Sequence, residues 1–303
     1  MKKAFIQLHI AVFLAGFTGI LGRLIELEAG MLVWYRMLIT AVTLLVILYF
    51  TKQFQRLSLK NTFEIFGVGV IVAIHWVTFY ASIKFSNVSV SLTCFSAIGF
   101  FTAFLDPLIM KRRIDIAEVF LGLLAITGIY LIFDFYPEYE VGILFGIISA
   151  LLASLFPIIN KNLLRKYSSQ TVTLYEMGGG FIALTLMMPL FLNMFPAKYY
   201  LPTTNDWLWL LVLSWLCTVF TFILALNALK KISPFTANLA YNLEPVYGII
   251  LAFIIFKENK DLSAGFYYGL GLILLAVILQ MIRVMLKARS DNKINMENKF
   301  LNP

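Results

Sequence analysis

Charged residues are unusually scarce in this sequence. Only 13 % of its 303 residues are Asp, Glu, Lys or Arg, and just two are cysteine. Because soluble domains carry about a quarter charged residues, this composition excludes an ordinary soluble globular protein. Cys94 and Cys217 both fall inside apolar runs, and their number and spacing fit neither a disulfide framework nor a cysteine-based metal site.

Sequence signatures of catalysis and nucleotide binding are missing as well. There is no H-E-x-x-H, no G-x-S-x-G, no Cys/His ligand set and no acidic cluster of metal-binding spacing. The segment MGGGF (177–181) lacks the strand and lysine of a phosphate loop, and instead predicts a helix that approaches a neighbour closely. We therefore expect no enzyme, no cofactor and no metal, and any active transport would have to use an ion gradient.

The sequence is rich in long apolar runs: 61 % of residues are hydrophobic, and the mean hydropathy is +0.87. Runs of about 20 residues recur, each long enough to cross roughly 30 Å of hydrocarbon. The pattern predicts an all-α polytopic membrane protein with ten transmembrane helices, at 4–22, 30–51, 62–84, 89–110, 116–134, 140–160, 170–193, 206–229, 234–256 and 263–286.

The net charge of +8 is distributed unevenly between the two sides of this arrangement. Eighteen Lys and Arg residues fall on the side of both termini and five on the opposite side. By the positive-inside rule, both termini are expected to be cytoplasmic, in the plasma (inner) membrane of a bacterium. The excess charge is then explained by topology and anionic headgroups, and a nucleic-acid partner is not expected.

The two halves of the chain repeat each other. YRM (35–37) aligns with YEM (175–177), and SIKFSNVSVSLTCF (82–95) aligns without gaps on ALKKISPFTANLAY (228–241). Five helices per copy is an odd number, so the second copy is inverted, as in secondary transporters. We predict a first repeat over 1–138, an inverted second repeat over 139–287, and a polar cytoplasmic tail over 288–303.

Ten spans, this repeat and three segments together resemble an EamA-type transporter of the drug/metabolite transporter superfamily. The segments are WYRMLITA (34–41), FYASIKFSNVSVSL (79–92) and NLEPVYGIILAFIIFKE (242–258). The chain departs from the family where helix 1 reads AGFTG (15–19) rather than tryptophan–glycine. It departs again where the basic KRRID (111–115) follows helix 4. The resemblance implies an exporter of amino acids or similar metabolites with a central cavity walled by both repeats.

Helix 9 concentrates polar residues on one side, namely Asn238, Tyr241, Asn242, Glu244 and Pro245. Proline cannot donate a backbone hydrogen bond, so a carbonyl one turn earlier is freed near the membrane midplane. One interpretation has Glu244 binding a substrate ammonium or a proton, with Pro245 as a hinge. In the other, Asn or Tyr neighbours hold Glu244 and it only fixes helix packing.

Helix 3 places His75 near mid-depth, beside Trp76. The histidine could relay protons or bind substrate, or its neutral ring could simply bind a backbone carbonyl. Trp76, Phe101 and Tyr241 are candidates for an aromatic cavity wall, although ordinary helix packing explains each of them equally well.

Three further charged residues lie inside predicted spans. Asp106 precedes Pro107, a second candidate hinge, and either forms an inner-end ion pair with Lys111, Arg112 or Arg113 or contacts substrate. Arg36 and Glu176 differ too much in depth to pair. They either snorkel to opposite surfaces, towards Glu26 or Glu28 and towards Lys161 or Arg165 respectively, or each lies at one mouth of the path.

These patterns predict a secondary transporter that exports small organic metabolites, with amino acids as one class, by alternating access. A channel-like permease is the main alternative, and an integral-membrane enzyme or a receptor is less favoured. The expected partners are a small-molecule substrate, membrane lipid and a proton or counter-ion. A homo-oligomer is left open.

Overall fold

A computed structural model describes residues 2–111, 113–135, 137–194, 199–241, 243–260 and 262–301. Within these ranges the chain is helical, with no β-strand. The α-helices are α1 (Lys2–Leu24), α2 (Ala29–Phe50), α3 (Leu59–Phe85), α4 (Val88–Phe95), α5 (Ile98–Met110), α6 (Ile116–Phe135), α7 (Glu140–Leu163), α8 (Ser169–Met194), α9 (Thr204–Ser214), α10 (Thr221–Leu229), α11 (Pro234–Tyr241), α12 (Leu243–Phe256) and α13 (Ala264–Leu301).

Seven segments of the described chain are long and apolar enough to cross a membrane, and shorter apolar helices cover 116–132, 243–256 and 264–279. The prediction of an all-helical polytopic membrane protein is therefore confirmed. Local signals in the sequence set several helix starts. Ser58 caps α3 by accepting from the Asn61 amide, Asn87 caps α4 in the same way, and Thr203 and Asp206 form a capping box on α9.

Four of the predicted spans differ in detail from the structure. The span predicted at 89–110 is interrupted at Ser96 and Ala97, between α4 and α5. The span at 206–229 contains a π-helix, Trp215–Phe220, between α9 and α10. The span at 234–256 is described as α11 and α12 on either side of Asn242. Finally, α13 continues to Leu301 past the predicted end at 286, since the segment beyond it still contains Leu, Lys, Arg and Met, which favour helix.

The helices form one packed bundle. α3 packs against α7 and α8, α1 against α10 and α12, α2 against α8, and α6 against α13. The close approach predicted from MGGGF is confirmed. A Cβ on Gly180 would lie 2.7 Å from the Gly69 carbonyl oxygen on α3, and a Cβ on Gly179 would overlap Phe66, whereas Gly178 faces open space.

The contact between α6 and α13 is made by two glycines. A Cβ added to Gly128 would collide with the carbonyl oxygen of Gly269, and a Cβ added to Gly269 would collide with the carbonyl oxygen of Gly128. The two backbones therefore touch directly, with no side chain between them at this point.

A buried glutamate in the connection between α12 and α13 ties one end of the bundle together. The Glu258 carboxylate, 3 % exposed, accepts from the backbone amides of Val88 and Ser89 at 3.2 and 2.9 Å, and from the Ser89 hydroxyl. It also pairs with Arg23 at the end of α1. Because the free amides at a helix start attract an anion, Glu258 joins the α12–α13 connection to the first turn of α4.

Candidate functional site

A cavity lies inside the bundle, lined by residues of α1, α2, α3, α7, α10 and α12, among other segments. Its wall is mainly apolar and aromatic, and three chargeable side chains reach it: Arg36, His75 and Glu244. The aromatic residues in the wall are Trp76, Phe79, Phe95, Phe156, Phe222 and Tyr241. Sequence analysis named Trp76 and Tyr241 as wall candidates, and the structure places both there.

Arg36 is fixed in the cavity wall by partners from two segments, α3 and the π-helix. It is 2 % exposed; its Nε donates to Thr218 Oγ1 at 2.7 Å, and Nη1 donates to the Tyr80 hydroxyl at 2.8 Å. Nη2 donates at 3.4 Å to the carbonyl oxygen of Cys217, which belongs to the π-helix. The guanidinium also lies over the Trp76 ring, 3.6 Å from its centroid, a cation–π contact.

These bonds overturn one expectation about Arg36. An anchoring role at the membrane surface, through Glu26 or Glu28, is wrong, because the guanidinium turns inward to Thr218 and Tyr80. The physical reason is that its planar fork satisfies several acceptors at once and stacks on an aromatic face, which an outward rotamer would give up.

Glu244 presents an unbonded carboxylate to the cavity. The side chain is 6 % exposed and lines the same wall as Arg36, yet no residue in the described part of the chain donates a hydrogen bond to it. Gly16 of α1 packs against the Glu244 backbone carbonyl, which brings α1 and α12 together here. The carboxylate is thus available to a cationic ligand, with the Arg36 guanidinium lining the same cavity.

The His75 ring is anchored to α7. Its Nδ1 lies 3.0 Å from the carbonyl oxygen and 2.9 Å from the hydroxyl of Ser149, while the Ser149 hydroxyl donates to the His75 carbonyl at 3.2 Å. With acceptors on that side, Nδ1 carries the proton. The ring also stacks on Phe95 at 5.6 Å. His75 therefore lines the cavity with its orientation fixed by Ser149 and Phe95.

Glu176 lies away from the cavity wall, next to Asn160 of α7. Both side chains are fully buried. They lie against each other, yet neither carboxylate oxygen and neither amide atom makes a hydrogen bond of normal geometry within the described chain. The expected inward pairing of Glu176 with Lys161 or Arg165 is wrong. The Lys161 ammonium binds the Leu229 and Ile232 carbonyls, and Arg165 is exposed.

The remaining predicted site residues are spread around the cavity. Asp106 and Pro107 are buried in α5, whereas Lys111 is exposed and Arg112 lies outside the described residues, so the inner-end ion pair stays a prediction. Phe101 is half-buried against Phe100 and is not among the residues lining the cavity. Pro245 is buried in α12. The side chain of Asn238 and the whole of Asn242 lie outside the described residues.

Sequence reasoning missed several residues that shape the site. Thr218 and Cys217 are 182 and 181 positions from Arg36, and Ser149 is 74 from His75. Thr218 and Ser149 each lie within one residue of the centre of a predicted span, but a hydroxyl in such a place is too common to single out. Thr218 Oγ1 donates at 2.8 Å to the carbonyl oxygen of Leu213, five residues earlier, as the geometry of the π-helix allows. No sequence pattern predicted this π-helix.

Comparison with known proteins agrees with this architecture. The model of the EamA-like transporter family matches the chain twice, over residues 2–134 and 140–282. An uncharacterized transporter of Archaeoglobus fulgidus is 28 % identical over 155 residues, covering 51 % of this chain and 54 % of its own length. One of Clostridium kluyveri is 22 % identical over 283 residues, covering 87 % and 88 %.

A third transporter of the same description, from Haemophilus influenzae, is 28 % identical over 49 % of this chain and 51 % of its own length. The chain thus spans about half the length of two of these relatives in the matched regions. A solved crystal structure superposes with a TM-score of 0.65 at 13 % identity, over 91 % of this chain and 96 % of the other, which shows a shared fold. With both family matches together covering most of its length, the chain belongs to the EamA-like transporter family.

Proposed function

We propose that this protein is a secondary transporter that exports small organic metabolites carrying an ammonium group, amino acids among them, by alternating access. It would reside in the bacterial plasma membrane with both termini in the cytoplasm. The observation that carries the proposal is the Glu244 carboxylate, unbonded within the described chain, in a central aromatic cavity shared with a fixed Arg36.

The cavity has the chemistry of a small-molecule site. Pockets for such ligands combine a mainly apolar wall with a few polar groups, as this cavity does. Glu244 would bind the ammonium, and Trp76 and Tyr241 would contact the body of the solute. The donors of Arg36 not used by Thr218, Tyr80 and Cys217 are available to a substrate carboxylate.

Helix packing supports the inverted repeat on which alternating access depends. The contact of α3 with α7 has its counterpart in the contact of α10 with α1, and the contact of α5 with α7 has its counterpart in the contact of α12 with α1. Lys111 and Lys257, 146 positions apart, both end their helices in the left-handed conformation, with φ of 54° and 57°. The family model also matches once in each half. Two similar bundles around a shared cavity suit rocking motion.

The other path residues would act around this centre. His75 would contact the solute or water, and so would Asn238 and Asn242, whose side chains lie outside the described part of the structure. The buried prolines, Pro245 beside Glu244 and Pro107 beside Asp106, would serve as hinges. Phe101, half-buried on α5, would border the path on the side of α6 and α7.

Metabolite profiling with Glu244→Gln tests the proposal. Cells would express wild type, Glu244→Gln or Glu64→Gln at matched membrane levels, and cytosol and medium would be compared. Glu64 is an exposed glutamate on α3 and serves as the matched control. Since a hydrogen bond to a charged group contributes about 1.5–3 kcal/mol, export of ammonium-bearing solutes should fall roughly 10- to 100-fold in Glu244→Gln alone.

Two outcomes would contradict it. Equal export by wild type and Glu244→Gln would remove the carboxylate from the substrate site. No change in any metabolite on expression of wild type would overturn export of common solutes. Saturable counterflow in proteoliposomes would then distinguish a carrier from a channel-like permease.

A further inference from the structure

We propose that Glu176 and Asn160 form a proton-binding site, separate from the substrate cavity, that couples transport to a proton gradient. This inference rests on the proposed transport function and adds the identity and place of the coupled ion. Both side chains are fully buried, and four polar atoms meet there without hydrogen bonds of normal geometry in the described chain.

The chemistry of a carboxylic acid beside a primary amide favours proton binding over a purely structural role. A carboxylic acid and a primary amide can bond reciprocally: the acid hydroxyl donates to the amide oxygen, and the amide N–H donates to the acid carbonyl. Uptake of one proton by Glu176 thus satisfies both of its oxygens and both amide atoms of Asn160. The ionised carboxylate can only accept, so it would keep the Asn160 N–H as a donor while the Asn160 oxygen remained without one and the buried charge without a cation.

Within the described part of the chain, no neighbouring cation supplies that partner. The charged or titratable residues on the elements around Glu176 include Arg36 on α2, Lys60, Glu64 and His75 on α3, Lys161 on α7, and Lys230 after α10. Arg36 binds Thr218 and Tyr80, and His75 binds Ser149. Lys161 binds backbone carbonyls, and Lys60, Glu64 and Lys230 are exposed. Asn160 is the described polar side chain that lies within reach of the Glu176 carboxyl.

The position of the pair explains how proton binding would act on the carrier. Asn160 lies three residues after Pro157, which lines the substrate cavity, a rise of about 4.5 Å along α7. Glu176 lies on α8, seven residues after its start at Ser169. The pair therefore joins α7 to α8 between the cavity and the α7–α8 connection. Loss of the proton would break this joint and require water to reach the carboxylate, so protonation and helix separation are linked.

Infrared spectroscopy tests proton binding without any substrate. Purified protein in liposomes of bacterial polar lipids would be titrated in H₂O and D₂O, following the carbonyl stretch of protonated carboxylic acids. We expect one band that disappears in Glu176→Gln, shifts in Asn160→Leu and is unchanged in Glu64→Gln. A band unaffected by either the Glu176 or the Asn160 substitution would overturn the proposal.

Transport measurements then test coupling. Proteoliposomes would be assayed for counterflow of a labelled mixture of the common amino acids, and for its accumulation driven by a pH step. With one proton per solute, a step of about one unit supports roughly tenfold accumulation by wild type, because 1.4 kcal/mol corresponds to a factor of ten. Glu176→Gln, which imitates the protonated acid, should keep counterflow and lose pH-driven accumulation.

The outcomes separate this inference from the function on which it rests. Accumulation by Glu176→Gln equal to that of wild type would overturn the proton site while leaving the transporter intact. Accumulation driven by a sodium gradient instead of the pH step would replace the proton by sodium and overturn the proposal too. Wild type that lacks counterflow of amino acids and of every metabolite found by profiling would refute the proposed function itself.

Discussion

Glu258 offers a quantitative prediction about closure of one end of the bundle, the end that the proposed orientation places outside the cell. Its buried carboxylate accepts from two amides and a hydroxyl at the start of α4 and pairs with Arg23. In the proposed alternating-access cycle this end would open, and water would then replace all of these contacts. The bonds therefore stabilise the closed arrangement relative to the open one, and Glu258→Gln should shift the population towards the open form.

The free-energy cost of Glu258→Gln can be worked out from how exposed each partner of the carboxylate is. The Arg23 side chain is 42 % exposed, so solvent screens its ion pair with Glu258, which contributes only about 0.2–1 kcal/mol. The bonds from α4 are buried. Glu258→Gln removes the charge from all of them and replaces one acceptor oxygen by a donor, at a cost of about 2–3 kcal/mol. That cost changes the ratio of closed to open molecules by roughly 30- to 150-fold.

A native cysteine reports the opening. Cys217 lines the cavity and is buried, whereas Cys94 is buried in α4 and would be replaced by alanine. A membrane-impermeant maleimide added outside intact cells should label Cys217 at least about tenfold faster in Glu258→Gln than in the parent, because labelling follows the open fraction. Arg23→Gln is the matched control and should change the rate by about twofold at most.

The result that refutes this reasoning is specific. If Arg23→Gln accelerates labelling as much as Glu258→Gln, this end is closed by the ion pair and not by the hydrogen bonds from α4 to Glu258. If neither variant changes the rate, Glu258 does not control access to the cavity from outside.

Two further predictions concern the cavity wall and the helix contacts. Arg36→Lys keeps the charge but cannot form the planar fork of hydrogen bonds or stack on an aromatic ring, so the counterflow rate should fall about 100-fold. Tyr80→Phe removes one hydrogen bond and should lower the rate roughly tenfold. Equal rates in Arg36→Lys and wild type would contradict the assigned geometry. Gly180→Val forces a side chain against the Gly69 carbonyl and should destabilise the protein by about 1–3 kcal/mol. Gly178→Val faces open space and should cost less in thermal unfolding of the detergent-solubilised protein, and equal loss in both variants would refute the contact.

The sequence was sufficient to predict the fold class because apolar length and charge placement are local properties. The helices expected at 30–51 and 62–84 agree with α2 and α3 to within a few residues. The same reasoning failed at Ser96 and Ala97 and in the π-helix. Such irregularities are tolerated where neighbouring helices satisfy the freed backbone groups, as Arg36 does for the Cys217 carbonyl, and that information lies far away in the chain.

The site was predicted in composition but not in pairing. Intramembrane charge identified Arg36, His75, Glu176 and Glu244 as exceptional, because ionisable groups at that depth are costly. Their partners could not be assigned, since an intramembrane charge has several neighbours within reach and only the three-dimensional packing selects one. Asn160 shows the limit clearly, as an asparagine in the last turn of a helix is ordinary until a buried glutamate is found beside it.

The reciprocal contact of Gly128 and Gly269 has a mechanical consequence. Where two helices interlock through long side chains, sliding one past the other requires many rotamers to change together. Where two helices touch only through glycine backbone, they can rotate against each other with few rotamer changes. In the proposed alternating-access cycle, this contact would let α6 and α13 rotate against each other, and the relative free energies of the states would then depend on contacts elsewhere in the bundle.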